Sequence, residues 1–218
     1  LTPVTQFRLD HCEIKNSTDS LLFFNGEIYG VVDNNVLRVK GGFAVRDFGL
    51  NEKTWGNFNF DYGTANNRYY EDNIIYLDYG VGNEGGLGGR YCARYNTFYV
   101  SSGSGINPWF DMHGNMGTGG NLSTMGAEIY GNVIYTGNMS LTFFDHRGGR
   151  LIAFNNTAYN VKGINGAKAR EEYLDSLNPP ATNPAGQPQH VSDSYYWNQS
   201  ANGSVIYDYN ITQTLDYG

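Results

Sequence analysis

Along this chain of 218 residues one short pattern recurs six times: an apolar residue, two variable residues, Asn or Cys, one variable residue, then a second apolar residue. The copies run from Leu9 to Ile14, Val32 to Leu37, Tyr70 to Ile75, Ala93 to Phe98, Ile129 to Ile134 and Ala153 to Ala158. Their fourth positions are Cys12, Asn35, Asn73, Asn96, Asn132 and Asn156, at intervals of 23, 38, 23, 36 and 24 residues. A basal period near 23 with occasional insertions is the mark of a solenoid built from short coils. Stretches of 3.6 periodicity are missing, which excludes a helical solenoid.

In a strand solenoid each coil lies about 4.8 Å from the next, so equivalent residues stack in columns. A buried Asn at a sharp bend tolerates left-handed backbone geometry. Its amide bonds the rungs above and below, forming a ladder. The apolar residues three before and two after it point inward from flanking strands. Between them stand the outward Asp, Glu, Arg, His and Tyr.

This arrangement resembles the right-handed parallel β-helix of the pectate-lyase-like superfamily, from about Val4 to Tyr159 and again near Tyr195. Phe7-Arg8-Leu9-Asp10-His11-Cys12 is similar to the Trp-Ile-Asp-His segment of true pectate lyases, without the Trp. The expected fold is therefore all-β: one single-stranded parallel β-helix domain over 1–218, with His11 structural. The resemblance implies polysaccharide as substrate class and lyase or glycosidase chemistry. In its lyases a Lys or Arg serves as base, often with calcium held by Asp; its hydrolases use paired Asp residues. No cofactor is implied by the residues alone.

Composition narrows the partners. A formal net charge of −7 with only 14 Lys and Arg leaves no basic stripe for nucleic acid or an anionic membrane surface. No stretch is long and apolar enough to span a bilayer. The chain starts at Leu1 with strand-like sequence close behind, so we expect a removed leader or a longer parent chain. Neighbouring domains or subunits are then expected at both solenoid ends. Seven Asn-x-Ser/Thr sequons, at Asn16, Asn121, Asn138, Asn155, Asn198, Asn202 and Asn210, fit an extracellular or cell-surface glycoprotein. The coil register sets Cys12 and Cys92 roughly 14 Å apart, beyond the reach of a disulfide. Two free, largely buried thiols are expected.

Between the ladder copies a second alignment stands out. Phe24-Asn25-Gly26, Phe110-Asp111-Met112-His113-Gly114 and Phe144-Asp145-His146-Arg147-Gly148 match one another, and Asp47 fits the same place. This predicts an Asn/Asp column through residues 25, 47, 111 and 145. The Gly-rich runs from Gly80 to Gly89 and from Gly114 to Gly120 read as loops. From Asn165 to Leu177 the pattern reads as a short helix, ended by Pro179-Pro180, within a helix-and-loop excursion over 160–194. Tyr195-Tyr196-Trp197-Asn198 reads as a further ladder coil.

Any chemistry is expected where these columns meet. If Phe110 stacks on Phe144, then Asp111 stacks on Asp145 and His113 on Arg147, placing an acid beside a base. Asp111, His113, Asp145 and Arg147 are the candidate catalytic residues. Glu128, His146, Arg150, Trp109 and Tyr95 are the candidates for holding substrate. The same residues also fit ordinary turn chemistry, since Asp closely followed by Gly bonds local backbone amides. The Tyr-rich middle coils suit sugar rings or cross-strand stacking equally. Two functions stay open: an extracellular β-helix that binds and cleaves polysaccharide, and a non-catalytic adhesin- or tailspike-like module.

Overall fold

The computed structural model describes residues 3–49, 62–101, 109–114, 122–169, 191, 193–206 and 209–211. Every regular element among them is a strand, and the strands form three columns visited in rotation. The first column holds β1 (Val4–Asp10), β4 (Ile28–Asp33), β7 (Arg68–Glu71), β10 (Arg90–Arg94), β13 (Gly126–Tyr130), β15 (Arg150–Phe154) and β17 (Tyr195–Trp197), paired in that order. The second runs through β2 (Glu13–Ser17), β5 (Val36–Val39), β8 (Ile74–Leu77), β11 (Thr97–Val100), β14 (Val133–His146), β16 (Thr157–Ala169) and β18 (Gln199–Ala201). The third contains β3 (Ser20–Asn25), β6 (Phe43–Phe48), β9 (Val81–Gly86), β12 (Phe110–Met112), the later parts of β14 and β16, and β20 (Tyr209–Ile211). Pairing is parallel in both sheets, apart from the antiparallel pair of β18 with β19 (Ser204–Ile206). An all-β fold with such parallel sheets is consistent with a parallel β-helix.

The recurring pattern is the frame of this fold. The residue three before each ladder position forms one inward column, Leu9–Val32–Tyr70–Ala93–Ile129–Ala153–Tyr196. The residue two after it forms another, Ile14–Leu37–Ile75–Phe98–Ile134–Ala158–Ala201. Both lie in the hydrophobic core, with Leu9, Ile14 and Tyr196 at the ends partly buried and packed against it.

Each ladder Asn accepts from the rung before and donates to the rung after. Asn96 Oδ1 accepts from Asn73 N at 3.1 Å and Asn73 Nδ2 at 2.9 Å, and Asn96 Nδ2 donates to Asn132 Oδ1 at 3.1 Å. Left-handed geometry, however, falls on the preceding residue, not on the ladder Asn: His11, Asn34, Asp72, Tyr95, Gly131, Asn155 and Asn198 all have φ between 51 and 67°. The bend is thus made by one residue and locked by the next. At the last rung Gln199, not Asn198, occupies the ladder position, with Oε1 accepting from Asn156 Nδ2 at 2.9 Å.

Three further expectations are corrected. Residues 165–169 continue strand β16 instead of starting a helix; the rest of the expected helix lies outside the described residues. Most of the Gly80–Gly89 run is strand β9, because its glycines admit neighbouring chains. A Cβ on Gly82 would sit 2.6 Å from Trp109 O, and one on Gly85 would sit 2.8 Å from Thr124 Cγ2. Both thiols are free, but Cys12 is exposed and only Cys92 is buried, because the first rung has no strand before it among the described residues.

Candidate functional site

The third column carries an unusual density of charge. Alternation places Phe110 and Met112 of β12 in the core, so Asp111 between them faces the opposite side. The register pairs Phe110 with Phe144 and Asp111 with Asp145, as the sequence suggests; the two Phe rings stack at 5.9 Å. On the other side Asp111 pairs with Glu84 of β9, and Glu84 with Arg46 of β6. Three acids, Glu84, Asp111 and Asp145, therefore lie in register on three consecutive strands.

Asn25 and Asp47 do not join them. Asp47 is level with Phe24, and Asn25 with Phe48. Matching the Phe-Asn and Phe-Asp segments by identity slips the register by one residue, which sends a side chain to the other face of the sheet. Asp47 points inward instead, fully buried, with Arg68 Nη1 at 2.9 Å and the Tyr70 hydroxyl bonded to its Oδ2. Burial pushes its carboxyl up to about 6 against the pull of Arg68.

Cations surround the three acids. Arg147 Nη2 donates to both Asp111 oxygens at 2.6 Å and its Nε to Oδ1 at 3.2 Å, while Nε lies 3.8 Å from Asp145 Oδ2. Arg46 Nε donates to Glu84 Oε2 at 2.6 Å. His113 follows β12 on the same side as Asp111, with Nε2 3.0 Å from Glu84 Oε1 and 3.5 Å from Asp111 Oδ2. Its backbone is pinned on both sides: His113 N donates to Gly85 O at 3.0 Å, and Thr124 N to His113 O at 2.8 Å.

Burial drives the Asp111 carboxyl above its ordinary range, and Asp145 adds to the rise; His113 and Arg147 oppose it without cancelling it. Burial also pushes Glu84 upward, but there His113 and then Arg46 prevail and hold it below its ordinary range. Two carboxyls on neighbouring strands are thus driven in opposite directions, the arrangement that separates an acid from a base. The side chain of His113 is 18% exposed, against 4% for Glu84, 9% for Asp111, 11% for Asp145 and 8% for Arg147. His113 is the member of the five most open to solvent.

The remaining candidates fall elsewhere. Glu128 lies on β13 in the first column, where its Oε1 accepts from Gly63 N at 3.0 Å and Asn67 Nδ2 at 3.2 Å. Burial raises its carboxyl, but its partners show it fastening the 62–67 segment to the sheet. His146 points into the core, bonded through Nδ1 to the Tyr196 hydroxyl and through Nε2 to Gly149 O at 3.0 Å. Burial lowers its imidazole to about 4, so it is neutral at pH 7. Arg150 pairs with Asp193 at 3.2 Å. Trp109 is a core residue, edge-on to Phe98 at 5.7 Å. Tyr95 is exposed at a ladder bend, edge-on to Tyr130.

Of the sequons, Asn138, Asn155, Asn198 and Asn202 are exposed, although Asn155 and Asn198 bond each other and Asn202 bonds the Val161 backbone. Asn16 and Asn210 lie on strands, and Asn121 lies outside the described residues.

The sequence missed Glu84 and Arg46. Glu84 sat inside a run read as a loop, and the signal for both was the alternation of Val45-Arg46-Asp47 against Asn83-Glu84-Gly85 and Phe110-Asp111-Met112.

No protein-family model matches the chain, and it matches no curated protein and no solved structure. The functional argument therefore rests on these residues and their geometry.

Proposed function

We propose that this protein is an extracellular, right-handed parallel β-helix that binds polysaccharide at the cluster of Glu84, Asp111, His113, Asp145 and Arg147, and cleaves it there as a lyase or glycoside hydrolase. The hand follows the strong general preference of parallel crossovers. The observation that carries the activity is the in-register stack of Glu84, Asp111 and Asp145. Burying charge is costly, and replacing a buried ion pair by apolar groups is often neutral or stabilising. A fold held by amide and aromatic columns has no mechanical need for three buried acids, and perturbed acids beside an imidazole mark a functional site.

The geometry supports distinct roles in this reading. Arg147 has its guanidinium engaged by both oxygens of Asp111, so it serves to orient and not as the base. His113, the more open imidazole beside Glu84, is the proton-transfer group. The test is a screen of neutral and uronic-acid polysaccharides for unsaturated products and new reducing ends. Activity that falls about 10²- to 10⁴-fold in His113→Ala supports the assignment. Absence of both binding and cleavage across the screen, or activity indifferent to His113→Ala, refutes it.

A second reading, a non-catalytic adhesive or fibre module, is favoured by the aromatic columns. Tyr76, Tyr99, Tyr135 and Tyr159 stack at 5.1 to 5.2 Å, and Tyr130, Phe154 and Trp197 at 4.6 Å. Ring faces within these columns are taken by neighbouring rings, so the columns stiffen the fold more than they offer platforms for sugars.

A further inference from the structure

We infer that Glu84, Asp111 and His113 form a binding site for a first-row divalent transition-metal ion of the Zn²⁺ or Mn²⁺ class. One donor atom from each lies within 4.8 Å of the other two. The imidazole Nε2 is 3.0 Å from Glu84 Oε1 and 3.5 Å from Asp111 Oδ2. Metal–ligand bonds of about 2.1 Å set neighbouring donors about 3.0 Å apart in octahedral and about 3.4 Å apart in tetrahedral geometry. The two observed edges match these spacings, and the third, between the two carboxylates, is within 4.8 Å.

The donors are held from behind, as ligands to a metal are. Arg46 takes the far oxygen of Glu84, leaving Oε1 turned to His113. Arg147 grips Asp111, and a carboxylate oxygen has a second lone pair for a metal. Backbone bonds on both sides of His113 fix its place beside them. The mixed set selects the metal class: imidazole with carboxylate suits Zn²⁺ and Mn²⁺, whereas Ca²⁺ takes oxygen ligands alone. Three protein donors leave positions open for a further ligand, and with the ion bound His113 is a ligand instead of the proton-transfer group.

Across this register Glu84, Asp111 and Asp145 are matched in number by Arg46, Arg147 and Lys168, so a bound divalent ion leaves the site formally positive. A cationic centre with open positions fits the carboxylate of a uronate, and this last step alone rests on the polysaccharide reading.

The test is calorimetric titration of EDTA-stripped protein with Zn²⁺ alone, in a His11→Ala, Cys12→Ser background. That background removes the contiguous Asp10-His11-Cys12 group, whose exposed thiol and imidazole are a rival zinc ligand set. One equivalent of Zn²⁺ is expected to bind in the background, and affinity is expected to fall at least about 100-fold on adding His113→Ala or the near-isosteric Glu84→Gln. Far-UV circular dichroism on each variant separates lost ligation from lost fold, and Glu84→Gln carries the test if His113→Ala unfolds. No bound equivalent in the background, Zn²⁺ binding that survives both substitutions, or Ca²⁺ binding more tightly than Zn²⁺ at the same site overturns the inference. No sugar is present, so a failed polysaccharide screen and a failed titration are separate results.

Discussion

Replacing Asn96 by Ala removes five hydrogen bonds from the middle of the ladder. Asn96 Oδ1 accepts from the backbone N and the side-chain Nδ2 of Asn73, and its own Nδ2 donates to Tyr70 O, Arg94 O and Asn132 Oδ1. The losses differ in weight. Asn73 Nδ2 keeps Val32 O and Glu71 O, and Asn132 Oδ1 keeps the backbone N of residue 96. The buried Asn73 N–H loses its acceptor, at about 1–3 kcal/mol, and two carbonyls each lose a donor worth about 0.5–1.5 kcal/mol. The sum is about 2–6 kcal/mol, a large share of the stability of an ordinary domain. Cys12→Ala is the control: it sits at the exposed end of the same ladder, where its thiol reaches only Asp10 O, and should change stability by no more than about 0.5 kcal/mol. Urea unfolding followed by far-UV circular dichroism measures both variants. If Asn96→Ala falls within about 1 kcal/mol of Cys12→Ala, the ladder is not what holds the turns in register.

Two further predictions rest on buried titratable groups. His146 is depressed to about 4 by burial, so below about 6.5 the unfolded chain takes up a proton that the folded one refuses until about 4. The unfolding free energy should therefore fall by roughly 3 kcal/mol as pH drops from 6.5 to 4, and His146→Gln should remove that part of the slope; parallel profiles of urea midpoint against pH would contradict it. For the cysteines, a maleimide should label one thiol, Cys12, in native protein. Cys92, whose thiol burial pushes far up, should react only after denaturation; prompt labelling of both would contradict its placement.

Much of the fold was legible because parallel strands stacked in columns write their geometry into the sequence: every turn must present one residue to the ladder and two to the core at fixed offsets. That spacing is why Asn35, Asn73, Asn96, Asn132 and Asn156 could be lined up despite insertions. The third column was less legible because its corners differ in length. Asp47 follows its ladder Asn by 12 residues, Glu84 by 11, Asp111 by 15 and Asp145 by 13. Without a regular offset, residue identity is a poor guide, and Phe24-Asn25 aligned with Phe110-Asp111 although Phe24 pairs with Asp47. The pairing of Asp111 with Asp145 survived since Phe110 and Phe144 are true neighbours. Glu84 was hidden by its glycines, whose absent side chains admit Trp109 and Thr124 and leave no hydrophobic period to read.

Parallel stacking places like above like, and the side chains here respond in three ways. Amides are self-complementary, since each offers a donor to one neighbour and an acceptor to the other, so Asn can repeat indefinitely. Aromatic rings are nearly so, and Tyr76, Tyr99, Tyr135 and Tyr159 stack face to face at strand spacing. Carboxylates are not: two charges about 4.8 Å apart repel by roughly 3.5 kcal/mol at an effective dielectric constant of about 20. In the first column the buried Asp33 shares Arg8 with the exposed Asp10, and Glu71 has Arg94. Solvent reaches Arg8, Asp10 and the Glu71–Arg94 pair and screens what remains there. The buried run of Glu84, Asp111 and Asp145 lacks that screening and is met by Arg46 on Glu84, Arg147 on Asp111 and, in register with Asp145, Lys168. His113 touches Glu84 and Asp111, so this one side chain decides whether that end of the column is closed by a proton or by a metal ion.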